Sequence, residues 1–133
     1  MLENRSIPRS TVIPVLAYPD VGAAIAWLCE AFGFTLRLRI ADHRAQLNAG
    51  DGAIVVTEGK GGSGLSVMVR VADAHAHHAR ARTHEARILQ APTDCSYGER
   101  QYTAEDLGGY RWTFSQSIAD VLPEEWGGTS GQL

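Results

Sequence analysis

YGERQYTAEDLGGYRWTFSQ, residues 97–116, is the stretch of this chain with the clearest structural signature. Residues 97–105 and 110–116 are rich in aromatic and β-branched side chains, which favour strands. Residues 106–109 (DLGG) between them are turn formers. The pattern predicts an antiparallel hairpin. Because a lone hairpin is only marginally stable in water, the rest of the chain must supply the sheet that it completes.

The elements that precede the hairpin predict two similar units. The second unit leads into the hairpin through a strand at 65–71, a helix that Asp73 caps and that runs to about residue 84, and a short strand at 87–90. The first unit contains a strand at 11–18, a helix between Asp20 and Gly33, and strands at 34–40, 44–48 and 53–58. Each half is therefore a strand, a helix and three strands.

An internal repeat supports this division. Moving the second half back by 53 positions places Asp73 on Asp20, and the closing strands align Gly109 with Gly52. We predict an α+β fold in a single domain. The first unit spans 11–59 and the second 65–119, joined by glycine-rich residues 60–64, with a loose N-terminal arm at 1–10 and a C-terminal tail at 120–133. In the tail, Trp126 is either exposed or packed against the body or a partner subunit.

Composition limits the possible partners and location. A net charge of −3 and a pI of about 5.9 argue against nucleic acid as the main partner, since such domains carry a basic face. The sequence has no apolar run long enough to span a membrane, and its first residues lack the apolar segment of a secretory signal, so we expect a cytoplasmic protein. Cys29 and Cys95 lack metal-binding spacing and are expected to be unpaired thiols.

Two segments resemble the glyoxalase, bleomycin-resistance and extradiol-dioxygenase superfamily, also called the vicinal oxygen chelate fold, and in particular its bleomycin-resistance-like branch. They are the AIAWLCEAFGF helix after Asp20 and residues 97–114, where Leu107 replaces the proline usual in the turn. The resemblance implies two βαβββ units that form a cupped mixed sheet, with helices on the outer face and a ligand in the cup. It also implies a homodimer that completes the pocket. The functions in this family range from isomerases, lyases and dioxygenases to drug-binding proteins.

Metal-dependent members of the family carry one ligand at each of four strand positions. Their equivalents here are Ile13, Val56, Ser66 and Thr113. Isoleucine and valine cannot ligate a metal, and the two hydroxyls are weak neutral ligands. We therefore expect no cofactor, although a divalent metal held by a shifted set of ligands stays open. The histidines on the second helix (His75, His77, His78 and His84) are interpreted as a solvent-exposed face.

Strand alternation then assigns side chains to the cup. The predicted cup-facing set is Ile13, Val15, Ala17, Ile54, Val56, Glu58, Ser66, Met68, Arg70, Arg111, Thr113 and Ser115. The set predicted to pack on the helices is Leu16, Val55, Val67, Val69, Val71, Trp112 and Phe114. The candidate ligand-binding residues are Glu58, Met68, Arg70, Arg100, Tyr102, Arg111 and Thr113. An alternative is that the charges pair with one another in water, and that Tyr97, Arg100 and Tyr102 form a dimer seam.

The sequence favours a binding protein over an enzyme. No Ser-His-Asp or Cys-His arrangement is visible, and Glu58 and Tyr102 are the only candidates for a proton shuttle. The leading hypothesis is a metal-free homodimer that sequesters a small amphipathic molecule, such as an antibiotic or secondary metabolite. One alternative is a glyoxalase-type metal-dependent lyase or isomerase, for which Glu58 and Gln116 would converge in the cup with an imidazole. Another is a structural or interaction domain whose cup is filled.

Overall fold

The computed structural model describes residues 2–62 and 64–133. The first unit consists of β1 (Val15–Tyr18), α1 (Val21–Phe32), β2 (Thr35–Ile40), β3 (Arg44–Ala49) and β4 (Gly52–Glu58). The second consists of β5 (Ser66–Arg70), α2 (Ala74–Thr83), β6 (Arg87–Asp94), β7 (Glu99–Glu105) and β8 (Arg111–Ser117). A 3₁₀ turn, Pro123–Trp126, follows in the tail. The predicted α+β fold of two βαβββ units is confirmed.

Each unit builds its own four-stranded mixed sheet. The strand orders are β1-β4-β3-β2 and β5-β8-β7-β6. In both sheets the first and last strands of the unit pair in parallel, and the remaining pairs are antiparallel. The connection between the two parallel strands of a unit runs through its helix and its two middle strands, which is long enough for the crossover that a parallel pair requires.

Local sequence signals define the helices. The side chain of Asp20 accepts a hydrogen bond from the Ala23 backbone N–H at 3.0 Å, and Asp73 caps α2 at Ala76 with the same distance. Helix α1 ends at Gly33, whose φ of 78° lies in the left-handed region that favours glycine. Both predicted N-caps are confirmed.

The two units share one hydrophobic core. Phe32 at the end of α1 packs against Trp112 and Phe114 of the second sheet, with ring centroids 5.6 and 4.8 Å apart. The side chain of Arg80 on α2 donates to the backbone carbonyl of Glu30 at 2.9 Å, where a cation is favoured by the helix dipole. The side of each sheet that packs on the helices is called its helix face, and the opposite side its cup face.

The turn of the hairpin joins the two units through a buried carboxylate. Asp106 accepts hydrogen bonds from the Tyr18 hydroxyl at 2.5 Å and the Trp112 indole at 2.9 Å. Its other oxygen accepts the backbone N–H groups of Gly108 and Tyr110, each at 2.9 Å. Burial and the neighbouring carboxylate raise the pKa of Tyr18. Asp106 is therefore a structural junction between β1 and the hairpin.

One strand has its faces reversed relative to the prediction. Ile54 and Val56 of β4 belong to the hydrophobic core, while Val55 pairs with Val15 of β1 on the cup face. The alignment of Gly109 with Gly52 causes the error, because the turn before β4 has two residues between paired strands and the turn before β8 has five. A slip of one residue exchanges the faces of a strand.

The strand limits differ slightly from the prediction. β1 begins at Val15 because Pro14 has no N–H to donate, although the Pro14 carbonyl accepts from Val55 N–H at 2.9 Å. β6 runs four residues past the predicted 87–90, since an edge strand with irregular register accommodates Pro92. Cys29 and Cys95 are free, as expected. Within residues 2–62 and 64–133, no helix is long and apolar enough to cross a membrane.

Candidate ligand-binding surface

The centre of the cup face of the first sheet is covered by the N-terminal segment. Arg37 donates to the backbone carbonyl of Arg5 at 2.8 Å, and Gln46 donates to that of Ser6 at 3.0 Å. Pro8 is buried, and beneath the segment Val55 is 3% exposed. Residues 2–10 are therefore packed on the sheet and not loose as predicted. The adjacent cavity of about 530 Å³ is lined by residues of this segment and Arg37.

The cup face of the second sheet is open. Met68 is 64% exposed, Ser66, Arg70 and Arg111 are exposed, and Thr113 is half-buried. Met68 pairs with Thr113 in the sheet, and this pair is equivalent to Val15 and Val55 in the first sheet. The central position is thus buried at Val55 and half-buried at Thr113, while the edge position is exposed in both units, at Val15 and at Met68.

A chain of hydrogen bonds forms the floor of this open face. Gln101 donates through its side-chain amide to the Ser115 hydroxyl at 3.0 Å, and that hydroxyl donates to Glu99 at 2.7 Å. The hydroxyls of Thr103 and Thr113 lie 3.1 Å apart. Hydrogen bonds from Ser117 and Ser115 hold the pKa of Glu99 below its usual range, so this carboxylate is ionised at neutral pH. The floor is polar, ordered and internally satisfied.

A groove adjoins this face along the edge strand β5. Its volume is about 600 Å³, and it lies between β5 and the start of the first unit. The lining combines Val12 and Pro14 with residues 49–54 and 67–72, so that Met68 and Arg70 belong both to the groove and to the cup face. Its size lies in the range of small-molecule sites.

The structure places four of the seven candidate ligand-binding residues together. Met68, Arg70, Arg111 and Thr113 lie on the cup face of the second sheet. The guanidinium of Arg70 donates to the Ser117 hydroxyl at 2.6 Å, which holds it at one end of this face. Aliphatic, cationic and hydroxyl groups therefore occur within one sheet surface.

The other three candidates lie elsewhere. Glu58, at the end of β4, pairs with Tyr18 of β1, and alternation places it on the same helix face as Val56. Tyr102 is fully buried against Phe114, with ring centroids 5.1 Å apart. Arg100, two residues before it, forms an ion pair with Asp94 at 2.7 Å. Arg100 and Tyr102 were predicted to bind ligand because of their guanidinium and aromatic groups. Alternation along β7 places both on the helix face, opposite to the cup.

Three polar residues of the cup face were missed by the sequence analysis. Glu99, Gln101 and Thr103 pair with Ser117, Ser115 and Thr113 across the hairpin and share their face. Alternation along the predicted strand at 97–105 was a signal that could have identified them, because its odd-numbered residues lie on the same face as Thr113. The prediction of cup-facing residues covered the first and last strands of each unit and left out β7.

The interpretation of the second-helix histidines as solvent-exposed is correct for His75 alone, since His78 and His84 are half-buried and His77 packs inward. The Nε2 of His77 lies 2.9 Å from the Phe32 carbonyl, which can only accept, so Nε2 carries the proton. Its Nδ1 accepts a hydrogen bond from the Tyr102 hydroxyl. Burial lowers the pKa of His77, and the charge of Arg80 contributes in the same direction. His77 therefore links the helices and the second sheet as a neutral imidazole.

The residues at the family's metal positions do not fit a metal ion. Val56 is on the helix face, and its cup-facing replacement, Val55, is also an aliphatic residue without a donor atom. Ser66 and Thr113 supply neutral hydroxyls, which bind divalent ions weakly. In the described part of the chain, no group of three or more His, Cys, Asp or Glu side chains is placed to hold a metal.

The convergence expected of a lyase or isomerase does not occur. Gln116 accepts a hydrogen bond from the Ala74 backbone N–H at 2.9 Å, at the start of α2. Glu58 lies in the first sheet, and the imidazole of His77 is engaged by Tyr102 and Phe32. Glu58 is exposed, and the three groups are not brought together in the cup.

Comparison with known proteins supports the architecture. The model of the Glyoxalase/Bleomycin resistance protein/Dioxygenase superfamily matches residues 11–114. TioX from Micromonospora sp. ML1 is 31% identical, with a TM-score of 0.71 over 85% of this chain and 100% of TioX. No curated protein matches the sequence.

Two more distant solved structures share the fold. A bleomycin-binding protein complexed with bleomycin is 21% identical, with a TM-score of 0.66 over 80% of this chain and 98% of its own. A glyoxalase/bleomycin resistance protein/dioxygenase from Nocardioides is 19% identical, with a TM-score of 0.64 over 96% of this chain and 91% of its own. At these identities the likeness extends to the fold alone.

Proposed function

Because the chain belongs to the glyoxalase/bleomycin resistance protein/dioxygenase superfamily, we propose that it binds a small amphipathic organic molecule on the cup face of its second sheet, without a metal ion. The observation that carries the proposal is the contrast between the two cup faces. The centre of the first, at Val55, is covered by the segment of residues 2–10 and only its edge residue Val15 is exposed, whereas the second exposes Met68, Arg70 and Arg111 above an ordered polar floor.

The chemistry of the face favours a ligand with both apolar and polar parts. Met68 and the groove beside β5 offer apolar surface, and thioether side chains adapt to irregular shapes. Arg70 and Arg111 offer guanidinium donors, and Thr113 a hydroxyl that accepts or donates. Antibiotics and secondary metabolites combine such groups, and bleomycin is a suitable first probe because a structural relative is a bleomycin-binding protein.

Calorimetric titration tests the proposal. Metal-free bleomycin and a panel of amphipathic antibiotics are titrated into the full chain in the presence of EDTA, and the metal content of the untreated protein is measured by mass spectrometry. We expect stoichiometric binding of at least one compound and substoichiometric metal. Binding that requires a restored divalent ion, or a tightly held equivalent of nickel, zinc, manganese or iron, contradicts the metal-free proposal. Absence of binding across the panel contradicts the binding proposal.

The proposal includes a homodimer in the cytoplasm. The second cup face is open on one side, and Met68 at the edge strand β5 is 64% exposed, so a single chain leaves a ligand there partly in water. A second copy supplies the missing wall. Light scattering coupled to size exclusion is expected to give the dimer mass, and a monomer at the concentrations used for titration contradicts this part of the proposal.

A further inference from the structure

We propose that the ligand of the second unit is a short extended peptide, or a molecule with a peptide-like backbone, and that it binds as an added strand along the free edge of β5. The inference rests on the proposed function and specifies the class of ligand. The strand order β5-β8-β7-β6 gives β5 a single neighbour, so its other edge is free. This free edge borders the groove of about 600 Å³.

The backbone groups that face the groove follow from the pairing of β5 with β8. The N–H of Val71 donates to the Ser115 carbonyl at 3.0 Å, in the parallel register of the two strands. Successive residues of a strand direct their backbone groups to opposite edges, so the odd-numbered residues of β5 bond toward β8. The even-numbered residues direct their N–H and C=O groups to the free edge. They are Ser66, Met68 and Arg70.

These edge groups offer a hydrogen-bonding ladder for one more strand. In the part of the chain that the structure describes, no protein group bonds to them. An unpaired strand edge is a template for an added strand, and extended peptides bind such edges through main-chain hydrogen bonds. β5 has 5 residues, so a peptide of about the same length matches it.

The shape of the groove favours a single added segment. A pocket on one face of a strand is lined by alternate residues, whereas every residue from 67 to 72 lines this groove, which therefore runs along the edge. Val12, Pro14 and residues 49–54 form the opposite wall. This wall limits the space beside β5 to a separate short segment and prevents a second copy from extending the sheet there with several strands.

The side chains around the free edge suit an amphipathic peptide. A strand added to β5 places its side chains alternately on the two faces of the sheet. On the helix face the neighbours are Val67 and Val69, which pack against the core, and on the cup face the neighbour is Met68 above the polar floor. The groove also carries one cation and one anion, Arg70 and Asp51. A short peptide with free ends likewise carries one charge of each sign.

Peptides with selected amide-to-ester replacements test the pairing. The reference is the pentapeptide Val-Thr-Val-Thr-Val with free ends, whose valines and threonines lie on opposite faces when it is extended. One analogue has esters in place of the amide N–H groups of its second and fourth residues, and the other in place of those of its third and fifth. All three are titrated into the full chain by calorimetry. Because one set of N–H groups faces β5 and the other faces away, we expect the affinities of the two analogues to differ by about tenfold or more, the effect of two backbone hydrogen bonds.

A proline substitution removes one backbone donor from the edge. Met68→Pro deletes an N–H that points away from β8, so the ladder with β8 is kept, and edge strands tolerate proline. Met68→Ala loses the same side chain but keeps the N–H, which makes it the matched control. We expect the reference pentapeptide to bind Met68→Pro about fivefold more weakly than Met68→Ala. Unchanged amide shifts along β8 verify that each variant is folded.

Hydrogen exchange identifies the occupant of the edge. The amides of Met68 and Arg70 are expected to exchange rapidly in the chain alone and to be protected when the pentapeptide is bound. Protection in the chain alone that rises with protein concentration would show that a second copy occupies the edge, and it would overturn the inference.

Three further results overturn the edge pairing. They are equal affinities of the two ester analogues, equal affinities of the two Met68 variants, and no binding of the pentapeptide. If compounds of the calorimetric panel still bind on the second cup face in any of these cases, the edge pairing is wrong and the proposed function stands. If neither the panel nor the pentapeptide binds, both fail.

Discussion

The two cup faces of this protein are built from the same succession of strands, yet the centre of one is covered and the centre of the other is open. Val55 in the first sheet and Thr113 in the second occupy equivalent positions, opposite Val15 and Met68. Val55 is 3% exposed beneath the N-terminal segment while Thr113 is half-buried, and the edge residues Val15 and Met68 are exposed in both sheets, at 51% and 64%. The comparison teaches that duplication of a fold does not duplicate its binding surface.

The difference arises from how polar groups are satisfied on each face. In the first sheet, Arg37 and Gln46 direct their donors to backbone carbonyls of residues 5 and 6, so their hydrogen bonds depend on the covering segment. In the second sheet, Gln101 and Ser115 bond to neighbours within the face. Buried polar groups are stable only when they are hydrogen-bonded. Because the polar side chains of the second face bond to one another, that face needs no covering segment and stays accessible.

The largest expected effect concerns the junction on which both faces depend. The carboxylate of Asp106 accepts four hydrogen bonds. In Asp106→Asn, one of the two oxygens becomes an NH2 group, which cannot accept hydrogen bonds from the donors that face it. We expect the free energy of unfolding to fall by about 3 kcal/mol or more. Asp51→Asn, in the corresponding exposed turn of the first unit, is expected to change it by less than about 0.5 kcal/mol. Urea unfolding of both variants measures the difference, and similar losses would contradict the junction.

One pair of substitutions separates binding from stability. Thr113→Trp fills the open face and is expected to weaken ligand binding more than about 100-fold, equivalent to about 2.7 kcal/mol. Val55→Trp overpacks the covered face and is expected to cost about 1–3 kcal/mol of unfolding free energy while leaving the affinity of the folded protein unchanged. Calorimetry and urea unfolding check both values. If Val55→Trp weakens ligand binding and Thr113→Trp does not, the ligand binds on the first face.

Polar truncation tests the dependence of the first face on its cover. Gln46→Ala removes the acceptor of Arg37 and the donor to the Ser6 carbonyl, so we expect a loss of about 1–3 kcal/mol in unfolding free energy. Thr103→Ala, at the equivalent strand position of the second sheet, removes one hydroxyl contact and is expected to cost less than about 1 kcal/mol. Equal costs in urea unfolding would indicate that the two faces are equally covered.

The smallest effect is the pH dependence that His77 confers on the helix side. Burial lowers its pKa in the folded protein below the value of about 6.5 of an unperturbed histidine, so the unfolded chain binds more protons just below pH 6.5. Stability is therefore full above this pH and falls as the pH decreases through the folded pKa. In urea unfolding, His77→Phe is expected to flatten the slope in this window, while His75→Phe, at an exposed position, retains it. An unchanged slope in His77→Phe would contradict the assignment.

The sequence predicted the succession of elements and most faces because both are encoded locally. Apolar spacing identified α1, and alternation correctly placed Met68 and Thr113. The face of β4 was wrong because turn length, which decides register, differs between the units. The location of residues 2–10 and the inward orientation of His77 depend on contacts between segments distant in the chain, such as His77 with Phe32, and no local pattern specifies them.

The central claim, that the second cup face binds the ligand while the first is covered, is tested most directly by an amide chemical-shift titration of the full chain. The tightest compound from the calorimetric panel is added in EDTA. Shifts are predicted at Met68, Arg70 and Thr113, with Arg37 and Gln46 unchanged. Shifts confined to Arg37, Gln46 and the N-terminal segment would contradict it.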